Sequence, residues 1–220
     1  MGKRGPKPKG KVKIEWSANF AYAIGLLVSD GNLSPDGRHI TFISKDIEQI
    51  NNFLKSLQVN NAVSFSKSGY TNNSAFRVQF SDVVFYEFLV SIGLMPNKSK
   101  VIGVVKIPTQ YFWHFLRGMF DGDGSIHSYF DPRWKSSFMF YTIFSSASEK
   151  YITWLRNEVG NLAGISGHVT GKSSTIFQLK YAKADSLILL RYMYPNSRVM
   201  SLPRKRLKIK KILGIIGERL

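Results

Sequence analysis

The chain has 220 residues, 44% of them hydrophobic, enough to bury a core as one domain or as two small ones. Lysine and arginine outnumber aspartate and glutamate 31 to 14, giving a formal net charge of +17 and a sequence pI near 10.1. That balance argues against an ordinary metabolic enzyme and for a polyanionic partner, nucleic acid first, because neutralising phosphates releases condensed counterions.

Residues 1–13 carry six basic residues, two prolines and no acid, too little apolar surface to offset ordering, and predict a flexible basic arm. Lys3-Arg4-Gly5-Pro6-Lys7-Pro8-Lys9 loosely resembles a minor-groove AT-hook without the second arginine of its core; a solvated basic tail is the plainer reading. No apolar segment follows it and no run approaches the roughly 20 residues of a spanning helix, so neither secretion nor a membrane partner is expected. Cysteine is absent, which excludes disulfides and thiolate metal sites and leaves oxygen or histidine donors for any metal. The four histidines show no metal-ligand spacing.

Beyond the arm the chain matches itself, the signature of one structural unit present twice. Ala23-Ile24-Gly25-Leu26-Leu27-Val28-Ser29-Asp30-Gly31 matches Leu116-Arg117-Gly118-Met119-Phe120-Asp121-Gly122-Asp123-Gly124, with Asp30 and Asp123 93 residues apart. Each nonapeptide reads as the last turns of a helix. After the first come a tight Ser34-Pro35-Asp36-Gly37 turn, the strand Ile40-Thr41-Phe42-Ile43 and a helix with Asp46 at its N-cap. The strand Phe76-Arg77-Val78-Gln79-Phe80 and an apolar helix over residues 83–92 close the first unit. An ordered linker over residues 101–109, with Pro108, leads to the second motif helix near Gln110. The second unit repeats the order with a longer hairpin loop over residues 129–136, the strand Thr142-Ile143-Phe144-Ser145, a helix behind Ser148, the strand Phe177-Gln178-Leu179-Lys180-Tyr181 and a helix over residues 185–194. Trp113, Phe115, Phe120 and Trp154, at helical spacing, are expected in the core.

The predicted fold is α+β: two pseudo-symmetric αββαββα repeats, residues 14–100 and 110–220, forming a saddle of antiparallel sheets with the motif helices at the central interface. In the strands Phe76, Val78 and Phe80 face one side and Arg77 and Gln79 the other; Gln178 and Lys180 do likewise beside Lys135, Ser137 and Tyr141. Polar ribbons of this kind fit the major groove. The expected DNA-contacting set is Arg38, His39, Thr41, Ser66, Lys67, Tyr70, Arg77, Gln79, Arg133, Lys135, Ser137, Tyr141, Lys172, Gln178 and Lys180. His127 reads equally as a DNA-facing or a partly buried hairpin residue.

The paired nonapeptides resemble the LAGLIDADG signature, and the order of elements resembles that homing-endonuclease family, as a single-chain two-motif member, over residues 16–220. Small residues at Gly25 and Gly118 let the two motif helices approach backbone to backbone. Asp30 and Asp123 then sit side by side, which is unfavourable unless divalent cations lie between them. The resemblance makes Asp30 and Asp123 the catalytic acids, holding Mg2+ with the backbone carbonyls of Ser29 and Gly122; Mn2+ or Ca2+ can substitute in binding. It also implies a basic residue near each scissile phosphate: Lys98 and Lys205 match, with Lys100 and Arg204 close alternatives. Val28 departs from the consensus at the sixth position, where the second copy has Asp121. The implied function is cleavage of a long asymmetric double-stranded DNA site with short 3′ overhangs, by a monomer, inside a prokaryotic cell or an organelle. The alternative is a non-cleaving binder, an RNA intron maturase or a transcription regulator, with RNA as a secondary partner.

Overall fold

The computed structural model describes residues 10–67, 74–134, 136–171 and 175–220; Tyr70, Lys135, Lys172 and the AT-hook-like stretch lie outside the described residues. The first half runs α1 (Ala18–Asp30), β1 (Gly31–Leu33), β2 (His39–Ser44), α2 (Ile47–Leu57), β3 (Val63–Lys67), β4 (Ser74–Ser81), α3 (Val83–Ser91). The second runs α4 (Phe112–Gly122), β5 (Ser125–Phe130), β6 (Phe138–Ser146), α5 (Glu149–Ala163), β7 (His168–Thr170), β8 (Phe177–Tyr181), α6 (Lys183–Met193) and one further helix, α7 (Pro203–Ile215). The two antiparallel sheets have the same strand order, β1-β2-β4-β3 and β5-β6-β8-β7. The expected α+β architecture and its repeated order are therefore present, with α7 as an addition to the second half.

The sheets put apolar faces on the helices. Ile40, Phe42, Val78 and Phe80 from the first, and Phe140, Phe144, Leu179 and Tyr181 from the second, are buried. Phe115 and Phe120 are fully buried, and Trp113 and Trp154 pack half-buried against the same core. Alternation at period two makes this possible, because the intervening polar positions fall on the opposite face.

At the centre α1 lies against α4. α1 is buried from Phe20 to Val28 because it is covered by both its own sheet and its partner helix. A Cβ added to Gly25 would lie 2.1 Å from the Phe115 carbonyl oxygen, and one added to Gly118 would lie 2.0 Å from that of Tyr22. Only glycine permits that approach, since real Cβ atoms do not come so close to a carbonyl.

One local expectation holds for the backbone only, and another needs correction. Asp46 occupies the N-cap position of α2 without making a side-chain cap bond; its carboxylate accepts instead from Arg204 of α7 at 2.8–3.0 Å. The arm expected over residues 1–13 is also too long. Asp82 accepts from the backbone N–H of Lys11 at 2.6 Å and of Val12 at 2.9 Å, and Val12 is buried, so residues 11 and 12 are part of the folded body.

Ser148, by contrast, caps α5 through the Tyr151 N–H and donates to the Ile102 carbonyl of the linker. Ser148→Ala removes a cap and orphans a buried acceptor, and is expected to cost about 1–2 kcal/mol, read as a lowered urea midpoint at unchanged slope.

Candidate active site

Asp30 is the last residue of α1 and Asp123 the C-cap of α4. The two helix ends touch: a Cβ on Gly122 would lie 1.9 Å from Ser29 Oγ and 2.6 Å from Asp30 Oδ2. Helix C-termini carry partial negative charge, so two carboxylates here add to an already unfavourable potential. Burial, and then the charge of Asp123, push the Asp30 pKa up to about 6, against the opposing effects of the Ser29 hydroxyl, Lys205 and Lys98. Burial also raises Asp123, the more exposed of the two acids, while Lys205 and Lys98 lower it.

This is the electrostatic condition a divalent cation relieves. Among the described residues no cluster of three or more His, Cys, Asp or Glu side chains exists. The donors to hand are two carboxylates and helix-end carbonyls, hard oxygens that suit Mg2+, Mn2+ or Ca2+, with water or a substrate phosphate needed to complete the shell. A cavity of about 90 Å³ beside Asp123, lined among others by Ser29, Lys98, Ser145 and Tyr151, has room for a few waters.

A lysine approaches each motif from behind. Lys98 is buried in a 3-10 turn, Lys98–Lys100, after Asn97, whose left-handed backbone (φ +54°) turns the chain inward. Its ammonium donates to the Gly31 carbonyl. Lys205, in the first turn of α7, donates to the carbonyls of Phe120 at 2.5 Å, Gly122 at 2.8 Å and Gly124 at 2.6 Å. Gly31 and Gly124 are the ninth residues of the two motifs, so Lys98 and Lys205 occupy matching places. Burial lowers both pKa values, that of Lys205 to about 8, with the Asp121 charge opposing the shift. Three carbonyl acceptors require the Lys205 ammonium to be charged. Of the alternatives, Lys100 points to solvent and Arg204 is committed to Asp46. The Gly122 carbonyl accepts from Lys205 yet retains a second lone pair.

The strand register defines the open faces. In the first sheet Thr41 opposes Asn32 and Gln79, Ile43 opposes Arg77, and Arg77 opposes Ser64. Gln79 is exposed and accepts from the Arg77 guanidinium, which preorganises a polar pair. In the second sheet His127 opposes Tyr141, and Ile143 and His168 both oppose Lys180. His127 and His168 are exposed there, and His168 was not among the expected contacts. Tyr141 stacks on Tyr129. Arg38 and His39 stand at the first hairpin turn, both engaged by Asp36, while Arg133 pairs with Asp131 in the loop that Ser137 closes.

One member of the expected contact set needs correction. Thr41 has the right parity but is only 9% exposed between its neighbours, too covered to reach a base. The side chains of Ser66 and Lys67 lie outside what the structure describes.

Behind the site lies a buried polar cluster that sequence reading did not find. Asp121, wholly inaccessible, accepts from Tyr22 at 2.8 Å, Tyr194 at 3.0 Å and the Leu202 N–H at 2.6 Å. Arg117, 1% exposed, donates to the carbonyls of Met193 and Met200, both at 2.7 Å, and lies over the Tyr22 ring. The one available signal was the charge at motif positions where the first copy has Ile24 and Val28.

The chain has the two-repeat LAGLIDADG fold: its structural neighbours are LAGLIDADG homing endonucleases and the LAGLIDADG domain of WhiA. I-WcaI bound to its DNA recognition sequence matches with a TM-score of 0.62 at 14% identity, over 94% of this chain and 95% of that one. Full-length DUF199/WhiA from Thermatoga maritima matches with a TM-score of 0.59 at 17% identity over 94% of this chain, which spans 63% of the length of that protein. I-DmoI in complex with DNA and Ca matches with a TM-score of 0.53 at 11% identity, over 87% of this chain and 97% of that one. No family model and no curated protein sequence matches the chain. No helix among the described residues is long and apolar enough to cross a membrane.

Proposed function

We propose that this protein is a site-specific double-stranded DNA endonuclease that hydrolyses one phosphodiester in each strand of a long asymmetric target and leaves short 3′ overhangs. The observation that carries the reading is the pairing of Asp30 and Asp123 at abutting helix ends, each motif backed by a lysine, Lys98 buried and Lys205 half-buried, held on its carbonyls. The carboxylates of Asp30 and Asp123, with the Ser29 and Gly122 carbonyls, are the groups that would hold magnesium. When bound, the metal supplies positive charge that polarises the scissile phosphates and acidifies a water. Mn2+ and Ca2+ are substitutes in binding; I-DmoI complexes with DNA include Mn and Ca forms. Lys98 and Lys205 keep fixed positive charge where the phosphates become more negative, and their carbonyl anchors mean that little reorganisation is needed.

The open sheet faces carry Arg77, Gln79, Tyr141, Gln178 and Lys180, suited to base edges in the major groove, and two non-identical halves suit an asymmetric site. Both motifs lie in one chain, so a monomer completes the site, in a DNA-containing compartment of the cell. A second reading, a non-cleaving binder of DNA or RNA such as a regulator or an intron maturase, draws on the match to full-length DUF199/WhiA and to its N-terminal LAGLIDADG domain.

The two separate in a randomised duplex library from which bound molecules, and after addition of Mg2+ the cut ends, are sequenced. The nuclease reading expects one long sequence enriched in both fractions, with staggered ends. Enrichment among bound molecules without cutting, in Mg2+ or Mn2+, leaves the binder.

A further inference from the structure

The nuclease reading has no use for Asp121, although it is the most buried acid of the motif pair. A wholly inaccessible carboxylate costs several kcal/mol unless its oxygens are satisfied. Here three donors converge on it: two tyrosine hydroxyls, from α1 and from the end of α6, and the backbone N–H of Leu202. Leu202 is the N-cap residue of α7, and Lys205 lies three residues further on. Arg117, one turn earlier on α4, holds the carbonyls of Met193 and Met200 and so fixes the crossing segment at two more points. From this origin Lys205 reaches back across α4 to Phe120, Gly122 and Gly124.

The first motif has no counterpart. Val28 and Ile24, both buried and apolar, stand where Asp121 and Arg117 stand in the second. Lys98 is set instead by a 3-10 turn with Asn97 in the left-handed region. Two lysines in matching places are thus held by different devices.

We infer that Asp121 is a positioning residue for Lys205 alone, fixing the start of α7 so that the ammonium meets the second motif, and that it therefore governs only one of the two strand cuts. The strand claim rests on the nuclease reading; the positioning claim does not. Asp121→Asn keeps the shape, and its amide can still accept from Tyr22 and the Leu202 N–H while its NH2 turns to donate to the Tyr194 hydroxyl, but the neutral oxygen loses the charge assistance of the carboxylate and weakens the anchor of Leu202.

Two measurements on the full chain test this. In the first, lysine reductive methylation is followed residue by residue by mass spectrometry. Lys205 is expected to react on the order of tenfold faster in Asp121→Asn than in wild type, with Lys98 unchanged as internal reference. In the second, single-turnover cleavage of the selected site is followed with each strand labelled. The strand slowed by Lys205→Met is expected to slow on the order of tenfold to a hundredfold in Asp121→Asn, the other strand to keep its rate, and nicked duplex to accumulate. Asp121→Asn added to Lys205→Met is expected to change nothing further. Should Asp121→Asn not fold, Tyr194→Phe removes one donor while keeping the charge, and a smaller effect in the same direction is expected.

Unchanged protection of Lys205, or equal slowing of both strands, overturns the inference. If wild type cuts neither strand, the nuclease reading falls, while the methylation result still decides whether Asp121 positions Lys205.

Discussion

Gly118→Val is expected to cost at least about 4 kcal/mol of stability, enough to leave much of the protein unfolded at 37 °C. The added Cβ would meet the Tyr22 carbonyl oxygen at 2.0 Å and the Gly25 Cα at 3.2 Å, and neither is a flexible side-chain end that could move aside. Relief requires α1 and α4 to separate, which opens the core of both halves at once. Gly25→Val faces the same obstacle from the other side, with the Phe115 carbonyl at 2.1 Å. Gly214 in α7 is the control, because nothing lies within 4 Å of an added Cβ. Gly214→Ala is expected to stabilise by roughly 0.5–1 kcal/mol through helix propensity. Urea unfolding of the three variants should give opposite signs for the interface and the control.

The second large effect is a trade of stability against activity at Asp30. Asp30→Asn is expected to lose DNA cleavage on the order of a thousandfold, because a neutral amide is a poor ligand for a hard cation. The same change should make the metal-free protein more stable at pH 7.5, by roughly 2 kcal/mol after allowing for partial exposure. Asp30 has a folded pKa of about 6 against an ordinary value of 3.8, so the native state binds this proton more tightly than the unfolded chain. Above about pH 6 the full cost of the ionised group is present, and it fades as pH falls towards 4, where both states are protonated. The advantage of Asp30→Asn should therefore shrink over that window in urea titrations at pH 7.5, 6 and 4.5. Added Mg2+ should stabilise wild type and leave Asp30→Asn nearly unchanged.

Much of the fold was legible because its signals are local and repeated. The two nonapeptides and the alternation of Phe76, Val78 and Phe80 recurring in Phe177, Leu179 and Tyr181 are enough to place helices, strands and buried faces. Other features depend on partners far along the chain. Asp46 is the N-cap residue of α2 that the sequence suggests, but its carboxylate is taken by Arg204, 158 residues away. Thr41 has the parity of a contact residue, yet parity says nothing about how closely its cross-strand neighbours cover it. The donors to Asp121 come from 99, 73 and 81 residues away, and no spacing rule links them. The clasp of Asp82 on residues 11 and 12 is equally non-local, which is why those positions read as an unstructured arm. At the candidate site, helix-end acids and their glycine neighbours were readable from the motif; the carbonyl cradles of Lys98 and Lys205 were not, because backbone acceptors leave no mark on a sequence.

The central claim is that Asp30 and Asp123 together make a metal-dependent phosphodiester hydrolase. Its most direct test is the single-turnover cleavage rate on a library-selected duplex in Mg2+, for wild type and for Asp30→Asn/Asp123→Asn, with the binding constant of each for the same duplex. Wild type is expected to cut both strands, and the double variant to bind comparably while cutting neither. Equal cleavage by both proteins, or tight binding with no cleavage by wild type in Mg2+ or Mn2+, would contradict it.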